Sequence, residues 1–179
     1  MTAGSRGMPL REAVAVLHRA RRDPDVVITS MGSAREWMAL GSLHPRDFVF
    51  VPSSMGQAPT LALGVALAQP ARRVIACNGD GSMLMNLGSL VTLGAEAPAN
   101  LVLMVFDNGV YEVTGAQPTP GSTLGPPGAR GVDFAAIARA CGFTSVFRYD
   151  NLDEWLAGAD DALAATGPVF ISLTVAPVP

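Results

Sequence analysis

Residues 74–82 read VIACNGDGS, and residues 101–109 read LVLMVFDNG. In each stretch an apolar run ends at a turn that carries a glycine and a carboxylate or carboxamide side chain. Uninterrupted apolar runs of this length are typical of strands buried on both faces of a parallel sheet. Ligands of such sheets bind at the carboxyl ends of the strands, so the two turns predict a binding site at one edge of the sheet.

Strand and helix signals alternate along the rest of the chain. The predicted strands are 25–30, 48–51, 73–77, 101–106, 145–148 and 169–175, and the predicted helices are 9–22, 34–40, 54–69, 83–93, 133–141 and 153–165. This alternation predicts an α/β fold with a doubly wound, mainly parallel six-stranded sheet and helices on both faces. We expect residues 1–179 to form a single domain. The Gly- and Pro-rich stretch 115–131 is predicted to be a loop that acts as a lid.

Composition narrows the functional classes. The net charge is −3 and no basic stripe is present, which argues against nucleic acid as a ligand. No membrane span or signal peptide is expected, because charged residues interrupt the apolar runs. Cys77 and Cys141 belong to no CxxC motif and are predicted to be free thiols in a reducing cytoplasm. With only 15% charged residues, the surface is expected to be partly covered by a partner.

The two turns carry oxygen ligands of the kinds that Mg²⁺ prefers. Asp80 supplies a carboxylate, Asn108 a carboxamide oxygen and Val110 a backbone carbonyl, and a diphosphate could fill two more positions. Glycines on both sides of Asp80 would let the backbone approach the phosphates. The helix expected just after them would favour an anion at its start. Two ordinary surface turns are the alternative interpretation.

The spacing of the turns resembles the fingerprint of thiamine-diphosphate-dependent enzymes, with 26 residues between Gly81 and Asn108. Nearly everything after residue 8 is similar to the diphosphate-binding domain of the decarboxylase branch of that superfamily. Within the branch, three segments resemble phosphonopyruvate decarboxylases and the beta subunit of sulfopyruvate decarboxylases. These segments are 29–36 (TSMGSARE), 79–88 (GDGSMLMNLG) and 107–119 (DNGVYEVTGAQPT).

The resemblance implies thiamine diphosphate and Mg²⁺ as cofactors, and it assigns roles to matching positions. Asp80, Asn108 and the Val110 carbonyl would hold Mg²⁺. Met55 would support the bent conformation of thiamine, and the Ser53 carbonyl would accept a hydrogen bond from its amino group. The residues implied to contact the cofactor are Gly32, Ser33, Ser53, Met55, Gly79, Asp80, Gly81, Ser82, Asn108, Val110 and Tyr111.

The resemblance also implies decarboxylation of a 2-oxo acid, with sulfopyruvate or phosphonopyruvate as the favoured substrates. Met55, Thr114 and Gln117 are the residues implied to serve catalysis. Relatives often carry an acid near the position of Thr114, so the threonine is a departure. Neighbouring Glu112 is expected to face away from the substrate if the segment is extended. Arg35 could meet an anionic tail, although a surface ion pair is its expected role.

In this family a glutamate on a separate pyrimidine-binding domain activates thiamine, and none of the five glutamates of the chain lies in a similar context. The resemblance therefore implies that the chain has no pyrimidine-binding domain. It also implies a hetero-oligomer in which a pyrimidine-domain (alpha) subunit supplies that glutamate, so that the enzyme is active only with its partner. Two other functions are left open: a subunit of a carboligase that resembles acetolactate synthase, and a non-catalytic cofactor-binding module.

Overall fold

A computed structural model describes residues 7–41, 43–49, 55–122 and 131–178 of the chain. Its strands are β1 (Val26–Thr29), β2 (Asp47–Val49), β3 (Val74–Gly79), β4 (Leu101–Asp107), β5 (Val110–Tyr111), β6 (Gln117–Pro118), β7 (Ser145–Tyr149) and β8 (Val169–Thr174). Six of them form one sheet in the order β2-β1-β3-β4-β8-β7. All neighbours in this sheet are parallel, so the predicted fold class is confirmed.

Helices cover both faces of the sheet. They are α1 (Leu10–Ala20), α2 (Met31–Ala39), α3 (Ala58–Ala68), α4 (Asp80–Met85), α5 (Ser89–Glu96), α6 (Phe134–Ala140) and α7 (Leu152–Ala164). One core lies under α1, α2 and α7, where Trp37 and Trp155 are buried, and the Trp155 indole N–H donates to the Ala13 carbonyl at 3.0 Å. The other core lies under α3 to α6 and contains Met83 and Phe134.

The strand order reverses next to β1, and this reversal positions the site. The chain places β2 on one side of β1 and β3 on the other, with Thr29 aligned with Cys77. Helix α2 then packs on one face and α4 on the opposite face. A crevice therefore opens between the carboxyl ends of β1 and β3, which is where doubly wound sheets bind their ligands.

Two predicted elements differ from the structure. The helix predicted over 83–93 is split into α4 and α5, because Asn86 leaves the helical conformation (φ −143°, ψ 50°) and its side chain donates to the Gly56 carbonyl instead. In the stretch 115–131, the described residues include β6, which pairs antiparallel with β5. This stretch is therefore not wholly irregular.

Three further local features are clear in the described residues. The Asp133 side chain caps α6 by accepting a hydrogen bond from the Ala136 N–H at 2.8 Å. Cys77 and Cys141 are free, and burial raises the pKa of the Cys77 thiol. Across the described residues, no helix has both the length and the apolar character needed to cross a bilayer.

The two ends of the described chain meet at the carboxyl edge of the sheet. The Met8 N–H donates to the Thr174 carbonyl at 3.0 Å, and the Ala176 N–H donates to the Met8 carbonyl at 2.9 Å. Val175 is the bridge partner of Met8, and Leu10 lies two residues after Met8. Both Leu10 and Val175 line the crevice beside β1.

Candidate functional site

A cavity of about 70 Å³ lies in the crevice at the carboxyl ends of β1, β3 and β4. Most residues of the predicted site line it. They are Gly32, Ser33, Met55, Gly79, Asp80, Gly81, Ser82, Asn108, Val110, Tyr111 and Thr114. The prediction that separate strand ends converge on one site therefore agrees with the geometry of the described residues.

Two predicted site residues are not placed in the cavity. Ser53 lies outside the described residues. Gln117 is exposed and does not line the cavity; its amide donates to the Thr114 carbonyl at 2.7 Å and accepts from the Thr114 hydroxyl at 2.8 Å. Gln117 thus holds Thr114, and a direct catalytic role for either residue stays a prediction.

Asp80 is the first residue of α4 and is only 2% exposed. Its carboxylate accepts a hydrogen bond from the Thr119 hydroxyl at 3.3 Å. Burial, and then the charge of Asp107, raise its pKa to about 7, against hydrogen bonds from Gly81, Asn108 and Thr119 that lower it. A divalent cation at this carboxylate would offset the cost of burial and the repulsion together.

Asn108 follows β4 with its carboxamide held at both ends. The side-chain N–H donates to Glu112 Oε1 at 2.8 Å, and Asn108 Oδ1 accepts from the Val110 N–H at 3.0 Å. Gly109, at φ +73°, makes the tight turn between them, a conformation in which glycine is favoured. Because the Val110 N–H uses one lone pair of the carboxamide oxygen, the other lone pair can bind a further ligand.

The oxygen atoms of this site fit Mg²⁺ as part of a coordination shell. Within the described part of the chain, no group of three or more His, Cys, Asp or Glu side chains could hold a metal ion. Asp80, the Asn108 oxygen and the Val110 carbonyl would supply three hard oxygen ligands, which is half of the octahedral shell of Mg²⁺. Mg²⁺ is commonly bound in this manner, by one or two carboxylates with phosphates and waters completing the octahedron.

Glu112 lines the cavity, and the condition under which it was expected to face away, an extended segment, is not met. Residues 112–114 form a 3₁₀ turn rather than an extended strand, and the alternation of side chains does not apply there. Besides Asn108, Glu112 Oε1 accepts from the Val178 N–H at 3.1 Å. The alternation expected of a strand could not have placed this residue in the cavity. Gly115 at φ +111° and Ala116 at φ +59° mark the turn that follows it.

The two glycines beside Asp80 have different surroundings. A Cβ atom at Gly81 would lie 2.6 Å from the Tyr111 ring, whereas a Cβ at Gly79 would meet nothing within 4 Å. Packing against Tyr111 is thus a second reason for glycine at position 81, beyond the predicted approach of phosphates. Sequence reasoning also gave no role to Thr119, which is 3% exposed and bonded to Asp80 although it lies within a quoted motif.

A second cavity, of about 460 Å³, lies beside the first and shares Asn108 and Val175 with it. Its rim includes Gly121 and Gly131, which lie on either side of residues 123–130, a segment that the structure does not describe. Gly121 within the predicted lid and Gly131 at its end therefore lie next to the site, and its action as a lid stays a prediction.

Comparison with known families identifies this arrangement. A family model for the thiamine pyrophosphate enzyme, C-terminal TPP binding domain, matches residues 30–173, which include α2, α4 and both predicted metal-binding side chains. The chain belongs to this family. Membership of the TPP-binding domain family supports thiamine diphosphate as the cofactor.

Relatives of this TPP-binding domain include decarboxylases. Phosphonopyruvate decarboxylase of Streptomyces viridochromogenes is 44% identical over 87% of the chain, which spans 36% of that protein. Sulfopyruvate decarboxylase subunit beta of Methanothermobacter thermautotrophicus is 38% identical over 87% of the chain, which spans 76% of that subunit. The chain thus covers about a third of the first relative but three-quarters of the second.

A solved structure agrees with the fold of the domain. A protein from Mycobacterium smegmatis described as a putative thiamin diphosphate-dependent enzyme superposes with a TM-score of 0.76 at 24% identity. The alignment covers 97% of this chain and 33% of that one. At this identity the likeness supports the fold alone.

Proposed function

We propose that this chain is the cofactor-binding subunit of a heteromeric thiamine-diphosphate-dependent decarboxylase that acts on a 2-oxo acid. The observation that carries the proposal is the convergence of Asp80, Asn108 and Met55 on one cavity at the reversal of strand order. The extensive coverage of a decarboxylase beta subunit supports the same assignment. Sulfopyruvate and phosphonopyruvate are the substrates suggested by the relatives.

In this proposal the residues of the chain bind and orient the cofactor. Asp80, Asn108 and the Val110 carbonyl hold Mg²⁺, and the start of α2 at Gly32 and Ser33 contacts the diphosphate together with Gly81 and Ser82. Met55 supports the bend of the cofactor. Thiamine diphosphate, when bound, supplies the electron sink that decarboxylation of a 2-oxo acid requires.

A partner subunit is the second part of the proposal, and the surface of α3 supports it. Leu61, Gly64 and Leu67 are exposed on one side of this helix, and a Cβ at Gly64 would meet nothing within 4 Å. Met85 of α4 and Val91 of α5, two helices on the same face of the sheet as α3, are exposed apolar residues as well. A stripe of apolar residues with a glycine at its centre suits close packing of another helix.

The size of the cavity also favours a partner. Sites for small molecules typically measure about 300–1,000 Å³. The cavity of about 70 Å³ in this chain is much smaller. We therefore propose that this chain forms one wall of the active site and that a pyrimidine-domain subunit supplies the opposite wall, including the activating glutamate.

Recognition of an anionic substrate tail is assigned to the partner as well. Among the described residues, the cavity is lined by two carboxyl groups, Asp80 and Glu112, and by no Arg, Lys or His. Arg35 is 58% exposed and pairs with Glu36 at 3.2 Å, as the sequence led us to expect of a surface residue. A sulfonate or phosphonate beside these carboxylates needs a cation from outside this cavity. Arg148 lines the adjoining cavity but is paired with Asp150 at 3.0 Å, so the partner is proposed to supply that cation.

The function is tested by reconstituting the complex. The chain is co-expressed with a short protein that carries a pyrimidine-domain glutamate, beginning with the product of the neighbouring reading frame. We expect release of carbon dioxide from sulfopyruvate or phosphonopyruvate only when both subunits, Mg²⁺ and thiamine diphosphate are present. Pyruvate, which lacks the anionic tail, is the matched substrate and is expected to react more slowly.

Two outcomes would contradict this proposal. Formation of a carbon–carbon bond with an added aldehyde or oxo acid, in place of a free aldehyde product, would indicate a carboligase. Cofactor binding without turnover in complex with any pyrimidine-domain protein would indicate a non-catalytic module.

The interface is tested by Leu61→Asp. A buried charge at the centre of an interface commonly costs about 2 kcal/mol or more, so we expect the affinity for the partner to fall about 30-fold or further. Leu156→Asp is the matched control. Leu156 is an exposed leucine of α7, on the opposite face of the sheet, and its substitution should leave the affinity unchanged. Surface plasmon resonance would measure both; equal losses for the two variants would argue against α3 as the partner surface.

A further inference from the structure

The turn of Met55, Gly56 and Gln57 is held by the segment around helix α4 through two hydrogen bonds to Gly56. The Gly56 N–H donates to the Ser82 hydroxyl oxygen at 2.8 Å. The Gly56 carbonyl accepts from the Asn86 side-chain N–H at 2.9 Å. Gly56 therefore has both backbone polar groups bonded to side chains of the segment that begins with Asp80.

The contact is too close for any residue other than glycine. Gly56 is buried with φ at +81°, in the left-handed region. A Cβ at this position would lie 2.8 Å from the Asn86 Cβ and 3.3 Å from the Ser82 carbonyl oxygen. The turn thus lies directly on α4, and its position depends on the side chains of Ser82 and Asn86.

Asn86 is itself fixed by the break between α4 and α5. Its backbone leaves the helical conformation, and its carbonyl accepts from the Ser89 N–H at 3.0 Å and from the Ser89 hydroxyl at 2.8 Å. A continuous helix through residue 86 would not have this backbone conformation. The interruption of the predicted helix therefore has a structural consequence, since it directs an amide donor to Gly56.

We infer that Ser82 and Asn86 are positioning residues, which fix Met55 relative to Asp80 so that the ring and diphosphate ends of the cofactor are bound in register. This inference rests on the proposed function. Both Met55 and Asp80 line the cavity, and α4 with its capping residue connects them. Loss of the Asn86 amide should therefore affect binding of the ring end and leave the metal-binding end intact.

The test compares two ligands on Asn86→Ala and Asn86→Asp in the full chain assembled with its pyrimidine-domain partner. Calorimetry in the presence of Mg²⁺ should show about a tenfold loss of affinity for thiamine diphosphate, as expected when a buried carbonyl loses its donor. Affinity for inorganic pyrophosphate, which lacks the rings, should change by less than about twofold. Asn86→Asp keeps the size of the side chain, removes the donor and turns a carboxylate oxygen toward the Gly56 carbonyl, so its loss of affinity for thiamine diphosphate should be at least as large as that of Asn86→Ala.

Thr60→Ala is the control, because it removes a different bond at the same turn, from the Thr60 hydroxyl to the Gln57 carbonyl. It should leave both affinities unchanged. Equal losses for the two ligands in the Asn86 variants, or no loss for either, would overturn the inference.

Amide hydrogen exchange of the free chain provides a readout that needs no cofactor. Residues 55–57 should exchange faster in both Asn86 variants than in the wild type, and unchanged exchange would overturn the contact itself. If the wild-type chain, assembled with the pyrimidine-domain subunit, bound neither ligand although the exchange result held, that outcome would instead contradict the proposed function and with it the positioning role. The two failures are thus distinguishable.

Discussion

Asp80→Asn is expected to abolish Mg²⁺-dependent binding of thiamine diphosphate, with a loss of affinity of about 100-fold or more. The variant keeps the shape of the side chain and removes the one charged ligand of the proposed metal shell. A hydrogen bond to a charged group is worth about 1.5–3 kcal/mol, and loss of the single carboxylate contact to Mg²⁺ at the upper end of that range corresponds to about 100-fold. Isothermal titration calorimetry with and without Mg²⁺ measures the effect.

The same substitution should not destabilise the free chain at pH 8. The pKa of Asp80 is raised on folding from 3.8 to about 7, so its ionisation opposes folding as the pH rises through that interval. The carboxamide of the variant carries no such charge. Its free energy of unfolding at pH 8 is therefore expected to equal or exceed that of the wild type.

Asp133→Asn is the matched control for charge. It also removes one negative charge, but asparagine caps a helix as well as aspartate does, and Asp133 does not line the cofactor cavity. We expect wild-type affinity for this variant. Unchanged affinity in Asp80→Asn, or an equal loss in Asp133→Asn, would rule out Asp80 as a metal ligand.

Gly94→Ala is expected to have the largest effect on stability. A Cβ at position 94 would lie 1.8 Å from the Cys141 carbonyl oxygen, so α5 and the end of α6 would have to move apart. Because both elements pack on a buried core that includes Leu93 and Phe143, such a shift opens that core. Overpacking of this kind costs about 3 kcal/mol or more. Urea denaturation followed by circular dichroism measures the loss.

Gly64→Ala provides the matched comparison for this prediction. Gly64 also lies inside a helix, but a Cβ there would meet nothing within 4 Å. Alanine should stabilise the isolated chain by about 0.5–1 kcal/mol through the lower entropy of its unfolded state. A small or favourable effect of Gly94→Ala as well would show that the α5–α6 contact adjusts without cost.

Much of the fold could be predicted because the strands are unusually uniform. The runs at β3 and β4 are apolar almost throughout, and their burial leaves little ambiguity about a parallel sheet. The predicted helix over 83–93 failed because its apolar pattern continues through Asn86, where a tertiary hydrogen bond to Gly56 overrides local propensity. A contact to a residue thirty positions away leaves no mark on periodicity.

The candidate site shows the same division. Asp80 and Asn108 could be predicted from the turns that carry them, since strand ends at one edge of a sheet must converge. The orientation of Glu112 could not, because it depends on a single 3₁₀ turn and on a bond from Val178, near the far end of the chain. Likewise, Asp80 and Thr119 are brought together by the β5–β6 hairpin, whose two-residue strands are too short to recognise in a sequence.

The bridge between Met8 and residues 174–176 has a consequence for how the molecule opens. Leu10 and Val175 extend from this bridge into the wall of the cofactor cavity. Local unfolding of the segment at Met8 or of residues 174–176 therefore removes part of that wall. A bound molecule that contacts the wall opposes unfolding of both segments. Unfolding of these two segments and binding of a ligand in the cavity are therefore linked equilibria. A bound ligand raises the free energy needed to unfold the segments, and their unfolding weakens binding.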